Sequence, residues 1–210
     1  VLAVMAVSSV GFVTDRAERA LALEANRLLG GDSVLRADEP IGDDLRAAAG
    51  APGLRSTETL AFPSMIRAGD SLRLGELRAL GEGFPLRGSF LLRDAVRGGE
   101  RTADGIPAPG TVWLSRAGAD ALGATVGDRI GIGDCELVLA ALVVQEPDAA
   151  LDYFNAAPRV FLNLADVPAT GLVQPGSRIT YRLVVAGDAA AVDRFNSQVR
   201  DSLGRGQRLE

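Results

Sequence analysis

Residues Leu151 to Gly187 read LDYFNAAPRVFLNLADVPATGLVQPGSRITYRLVVAG. An aromatic-rich start leads into Arg159–Asn163, an apolar run with strand character. A Pro/Gly loop, Gln174-Pro175-Gly176-Ser177, separates it from a second strand at Arg178–Ala186. No acid, base or metal ligand here has the spacing of a catalytic site. Beyond it, Asp188 stands where a helix cap belongs, and Asp188–Glu210 is polar and predicted to be helical. Ala191, Phe195 and Val199 then recur at i, i+4, i+8, an apolar stripe for packing on a sheet. The C-terminal portion is therefore predicted as β-β-α.

The chain upstream supplies a complementary half. Ser33–Ala37 is a short alternating strand, and Asp43 starts a helix through Ala49, ended by Gly50 and Pro52. Leu54–Ile66 and Leu72–Leu80 are two long strands joined by a hairpin turn at Ala68-Gly69-Asp70-Ser71. Pro63 inside the first marks an edge position or a bulge. Phe84-Pro85 falls in an irregular loop, Gly81–Gly88. Phe90–Val96 is a strand candidate, and Gly98–Gly110 is expected to be a mobile surface loop. Thr111–Leu114 forms a short strand, and Ser115 caps a helix through Leu122. The glycines of Val126–Gly133 admit a phosphate-loop reading or a β-turn reading. No helix follows them to reinforce anion binding, which favours the turn. A long strand, Glu136–Val144, comes next.

Composition excludes much chemistry. The 210 residues contain no histidine, and all 22 basic residues are arginine. A Ser-His-Asp triad, a Cys-His pair, a His-based zinc site and a lysine Schiff base are ruled out. The single cysteine, Cys135, forms no internal disulfide and reads as a small buried strand residue. Paired carboxylates remain open for acid–base work, but the 27 acids are scattered through turns and helix faces. A net charge of −5 with 5% aromatics argues against nucleic-acid binding.

Val1–Val13 (VLAVMAVSSVGFV) is uncharged and mostly apolar. As a helix it would extend about 20 Å, two-thirds of the ~30 Å hydrocarbon core of a bilayer. Three readings compete: the end of a transmembrane helix, the tail of a signal peptide, or a buried helix. Thr14–Leu29 continues the helical pattern, with Ala17, Leu21, Ala25 and Leu28 on one face, and Gly30-Gly31 stops it. That continuity favours a helix emerging from a membrane as a stalk.

Several motifs carry a family resemblance. They are Thr14-Asp15-Arg16, Glu24-Ala25-Asn26-Arg27-Leu28-Leu29-Gly30-Gly31-Asp32, Glu146-Pro147-Asp148 and Gly171-Leu172-Val173-Gln174-Pro175-Gly176-Ser177. Their order and spacing resemble the extracytoplasmic domain of ABC-transporter permeases of the MacB/FtsX/lipoprotein-release superfamily, on its YbbP-like branch. The resemblance implies an α+β fold: a split β-α-β unit like a porter core, carrying an inserted small β-rich lobe. The corresponding division is 1–30 membrane end and stalk, 31–88 and 149–210 the split unit, and 89–148 the lobe.

The resemblance further implies a non-catalytic domain facing the periplasm from the bacterial inner membrane, without cofactor or metal. Its implied partners are a cytoplasmic ABC ATPase subunit, a second periplasmic domain of the same permease, and a periplasmic esterase or lipoprotein. The residues themselves leave two alternatives: a membrane-anchored binding or adaptor module, and a carboxylate-based hydrolase. Candidate contact positions are Phe84, Pro85, Tyr153, Phe154 and Asn155, aromatic or polar residues in loops, for which ordinary loop packing is the competing explanation.

Overall fold

A computed structural model describes residues 30–93, 99–147, 158–174 and 176–210. The expected stalk helix up to Leu29 lies outside these residues. The fold is α+β, as predicted. Eleven strands join one sheet: β1 (Ser33–Ala37), β2 (Leu54–Ala68), β3 (Ser71–Leu80), β4 (Leu91–Arg93), β5 (Glu100–Thr102), β6 (Thr111–Ser115), β7 (Arg129–Ile132), β8 (Cys135–Gln145), β9 (Arg159–Asn163), β10 (Thr180–Gly187) and β11 (Gln207–Leu209). The described α-helices are α1 (Asp43–Ala49), α2 (Arg116–Leu122) and α3 (Ala189–Ser202), with a 3-10 helix at Leu164–Thr170.

Six strands close on themselves. β2 pairs with β3, β3 with β9, β9 with β6, β6 with β8, β8 with β7, and β7 back with β2. Closure removes free edges and encloses an apolar interior. Ile66, Leu77, Val112, Ile130, Leu139 and Leu162 fill it, each 0% exposed. All three of the expected segments, 31–88, 89–148 and 149–210, contribute strands to this ring.

Outside the ring, β4 and β5 continue the sheet from β8, and on the other side it runs in the order β11-β1-β10-β2, with one face packed on helices. Leu35, Leu183 and Val185 meet Phe195 and Val199 of α3, so the predicted helical stripe is core. The opposite face carries Val34, Leu80, Trp113, Phe161 and Val184 under the 81–90 loop. Phe90 lies edge-on to both Trp113 and Phe161, at centroid distances of 5.4 and 5.3 Å, a favoured aromatic geometry.

Two expectations change, and a third is met over the described residues. Glu100–Thr102, inside the stretch expected to be a mobile loop, pairs antiparallel with β4. Leu91–Arg93 is the described part of the strand predicted over Phe90–Val96. The end of the chain, expected to be helical through Glu210, turns at Gly206 into β11, which pairs with β1. Three polar-rich residues in a strand have too few alternating apolar positions to announce themselves.

Pro63 explains the most consequential feature of the sheet. β2 pairs with β10 up to Ala61 and with β7 from Ile66. Glu76, opposite Pro63 on β3, sends its N–H away to Pro158 O at 2.8 Å. The backbone of Pro63 therefore faces the opposite flank, where a neighbouring strand would need an N–H that proline lacks. Beyond Thr180, toward Ser177, the chain peels away from β2 and leaves a break between β10 and β7.

Candidate functional site

Gly30–Asp32 seats the incoming chain on two segments at once. Gly30 O accepts from Leu86 N and Arg87 N at 2.9 and 3.0 Å, while Asp32 N donates to Val185 O at 2.8 Å. The Asp32 carboxylate accepts from Arg87 Nε and Nη2 at 2.9 and 2.7 Å, and from Gly187 N at 2.9 Å. This bidentate pair pushes the Arg87 guanidinium above its ordinary range, chiefly through its hydrogen bond to Asp32. Gly31 is required by close approach, since a Cβ there would lie 2.5 Å from Val184 Cγ1. The far end of the chain arrives at the same place: Val34 N donates to Glu210 O at 3.1 Å, and Glu210 N to Val34 O at 2.8 Å.

The predicted contact residues divide. Phe84 is 1% exposed, packed in the aromatic core beneath Gly30. It is a packing residue and not a contact surface, because a ring so buried presents nothing to a partner. Pro85 is half-buried beside it. Tyr153, Phe154 and Asn155 lie outside the described residues. The Gln174–Ser177 motif is a turn, closed by Ser177 N to Gln174 O at 2.9 Å and by Gln174 N to Ser177 Oγ at 3.1 Å.

Glu146 of the Glu146-Pro147-Asp148 motif has a role its sequence context hid. Its Oε2 accepts from Arg159 Nη1 at 2.8 Å and from Arg78 Nη1 at 3.5 Å. All three side chains are nearly buried, at 9%, 11% and 6% exposure. Arg78 also sits 5.9 Å from the Phe161 ring centroid, a cation–π contact. The cluster joins the end of β8 to the start of β9. Ser115 Oγ supports it from the end of β6, where it caps α2, accepting from both Gly118 N and Arg159 N.

The break at Pro63 opens a groove of about 720 Å³ between Ala61–Pro63, Leu74–Glu76 and Ser177–Thr180, with Arg36 and Asp38 at its border. Among the described residues no group of His, Cys, Asp and Glu is arranged to hold a metal. None of the described helices is long and apolar enough to cross a membrane.

No established protein-family profile matches the chain. Over 208 residues, 99% of its length, it is 33% identical to the uncharacterized ABC transporter permease YbbP of Escherichia coli (strain K12). It spans 25% of that relative. The fold is similar to the periplasmic region of MacB from Actinobacillus actinomycetemcomitans, with a TM-score of 0.51 and 11% identity over 86% of this chain and 89% of that one. It is also similar to the extracellular domain of the ABC-type transporter YknZ from Gram-positive bacteria, with a TM-score of 0.56 and 8% identity over 85% of this chain and 99% of that one. At such identities these two show the shared fold, while the YbbP match carries the branch. The chain is a YbbP-like ABC-transporter permease domain with the fold of the periplasmic region of MacB and the extracellular domain of YknZ.

Proposed function

We propose that the domain performs no reaction of its own and couples ATP hydrolysis by a cytoplasmic ABC ATPase to extrusion or transfer of an apolar, lipid-like substrate. The permease would sit in the bacterial inner membrane with this domain in the periplasm. A second periplasmic domain of the same permease, and a periplasmic esterase or lipoprotein, would be its neighbours.

One observation carries the reading. Glu210, after β11, bonds to Val34 of β1 close to Gly30–Asp32 and the Asp32–Arg87 clamp. A displacement of Gly30–Asp32 acts on a joint made of directional bonds to two separate segments. Such a joint passes rotation into the sheet, which a flexible tether would absorb.

The test uses the full-length permease with its ATPase in nanodiscs. One nitroxide is placed at exposed Val138 on the barrel and another on a membrane helix, and their distance is measured with and without ATP. Hydrolysis should be accompanied by a distance change that shrinks in an Asp32→Ala, Arg87→Ala double variant. Steady hydrolysis without any displacement would overturn the coupling role. A permease that associates with no ATPase would leave an anchored adaptor.

A further inference from the structure

The groove at Pro63 has the lining of a ligand site. It is an uncovered part of the sheet face that the 81–90 loop covers elsewhere. Strand alternation puts Pro63, Met65 and Arg67 of β2 on this face, opposite Glu76, Leu74 and Leu72 of β3. Met65 is 45%, Leu72 50% and Leu74 58% exposed. They form an apolar strip on the outside of the barrel, running from the groove to a second hollow of about 350 Å³ lined by Met65, Leu72 and Leu172. A contiguous strip of this kind offers an apolar ligand or partner more contact than single exposed apolar residues do.

The charges at the groove select among apolar ligands. Its lining holds two arginines, Arg36 and Arg178, and two carboxylates, Asp38 and Glu76, for a formal sum of zero. Arg178, on the stretch that peels off β2, and Glu76, on β3, lie on opposite sides of Pro63. A head group that carried only negative charge would meet the Asp38 carboxylate unfavourably. One that carried both signs could place its anion toward Arg178 and its cation toward Glu76. The volume is that of a small-molecule site.

We propose that this groove and strip bind one zwitterionic amphiphile, with its acyl chain along Leu74, Met65 and Leu72 and its head between Arg178 and Glu76. This deepens the transport reading by giving its substrate class a place, and so rests on that reading for its biological role. Pro63 keeps the site open by preventing β10 from continuing along β2.

The test titrates the 210-residue chain with lysophosphatidylethanolamine bearing a chain-end fluorophore, below its micelle concentration. Saturable binding of one molecule is expected. Leu74→Glu should weaken it about tenfold, the effect of losing roughly one leucine-sized apolar contact. Pro63→Thr, which restores an N–H facing the break, should also weaken binding by letting Ser177–Ile179 pair with β2. Anionic lysophosphatidylglycerol should bind less tightly, and glycerophosphoethanolamine, which lacks the chain, should not compete. Equal affinity in wild type and Leu74→Glu would overturn the site, and a preference for the anionic lipid would overturn the head-group assignment. A chain dimer abolished by Leu74→Glu, with no lipid bound, would give the strip to a second copy. The assay needs neither membrane nor ATPase, so its failure leaves the coupling role standing, and failure of ATP-driven motion leaves the groove standing.

Discussion

The two ends of this molecule are held by different physics. At the incoming end, Gly30–Asp32 is fixed by a few directional polar bonds to Leu86, Arg87, Val185 and Gly187. At the other, the closed ring of six strands is held by many non-directional contacts among buried aliphatic side chains. Polar bonds set an angle, and each can be lost singly. A close-packed apolar core sets a shape, and truncating any one side chain weakens the core as a whole rather than freeing one segment. The coupling role proposed above would need both properties, and here they lie at separate sites.

The sharpest challenge to that division is Glu146, a buried charge on the barrel's outer face. Replacing it by glutamine leaves Arg78 and Arg159 facing a neutral group. Breaking a buried pair from one side costs about 3–5 kcal/mol. Glu146→Gln should therefore lower the urea midpoint more than truncation of an apolar core residue or loss of the Asp32 carboxylate. A cost below about 1 kcal/mol would mean water reaches the cluster and the pair behaves as a surface one. Leu139→Ala probes the apolar side of the comparison. Leu139 is 0% exposed inside the ring, and its truncation should cost about 3 kcal/mol with cooperative unfolding retained. Loss of cooperativity would show that the barrel unfolds apart from the helical layer.

The contrast also governs what the sequence alone reveals. Ser33–Ala37, Asp43–Ala49, Arg159–Asn163 and the Ser115-capped helix are legible because each pairs a local periodicity with a local stop signal. Ring closure is not. It depends on Ile66 meeting Ile132 and Leu80 meeting Asn163, pairings far apart along the chain that no short window contains. The Asp32–Arg87 pair spans 55 residues and is hidden for the same reason. Pro63 signals an edge or a bulge, but that its bare flank opens a groove follows only once β10 and β7 share β2. Phe84 misleads because its neighbours Gly83 and Pro85 read as a loop, while its ring turns inward under Gly30. Glu146 stands out as part of a motif, and only the partners brought by β3 and β9 explain it.

Asp32→Ala tests the polar end directly. The carboxylate is 12% exposed and Arg87 37%, so water replaces part of the lost interaction, and the cost should be about 1–2 kcal/mol. The more telling readout is local. Amide exchange at Gly187 and Arg87 should accelerate while Val160 and Leu162 in the ring keep their protection. Uniform acceleration would mean the joint and the barrel form one cooperative unit, and the separation of roles would fail.

The smallest effect is expected at Cys135, on the barrel hairpin. Burial pushes its thiol above the ordinary range, and the Asp166 and Asp134 carboxylates add to the rise. Its modification by iodoacetamide should be slower than that of the unfolded chain across neutral and mildly alkaline pH. The sign for stability follows. A raised folded-state value leaves stability untouched below the ordinary thiol range. As pH climbs through that range, the unfolded thiol ionises first and stability falls until the folded thiol ionises as well. Cys135→Ser should flatten that alkaline slope relative to wild type while leaving exchange at Gly187 unchanged. An unchanged slope would mean the half-buried sulfur is solvated enough to titrate alike in both states. A changed Gly187 rate would tie the barrel hairpin to the distant joint that the other variants treat as separate.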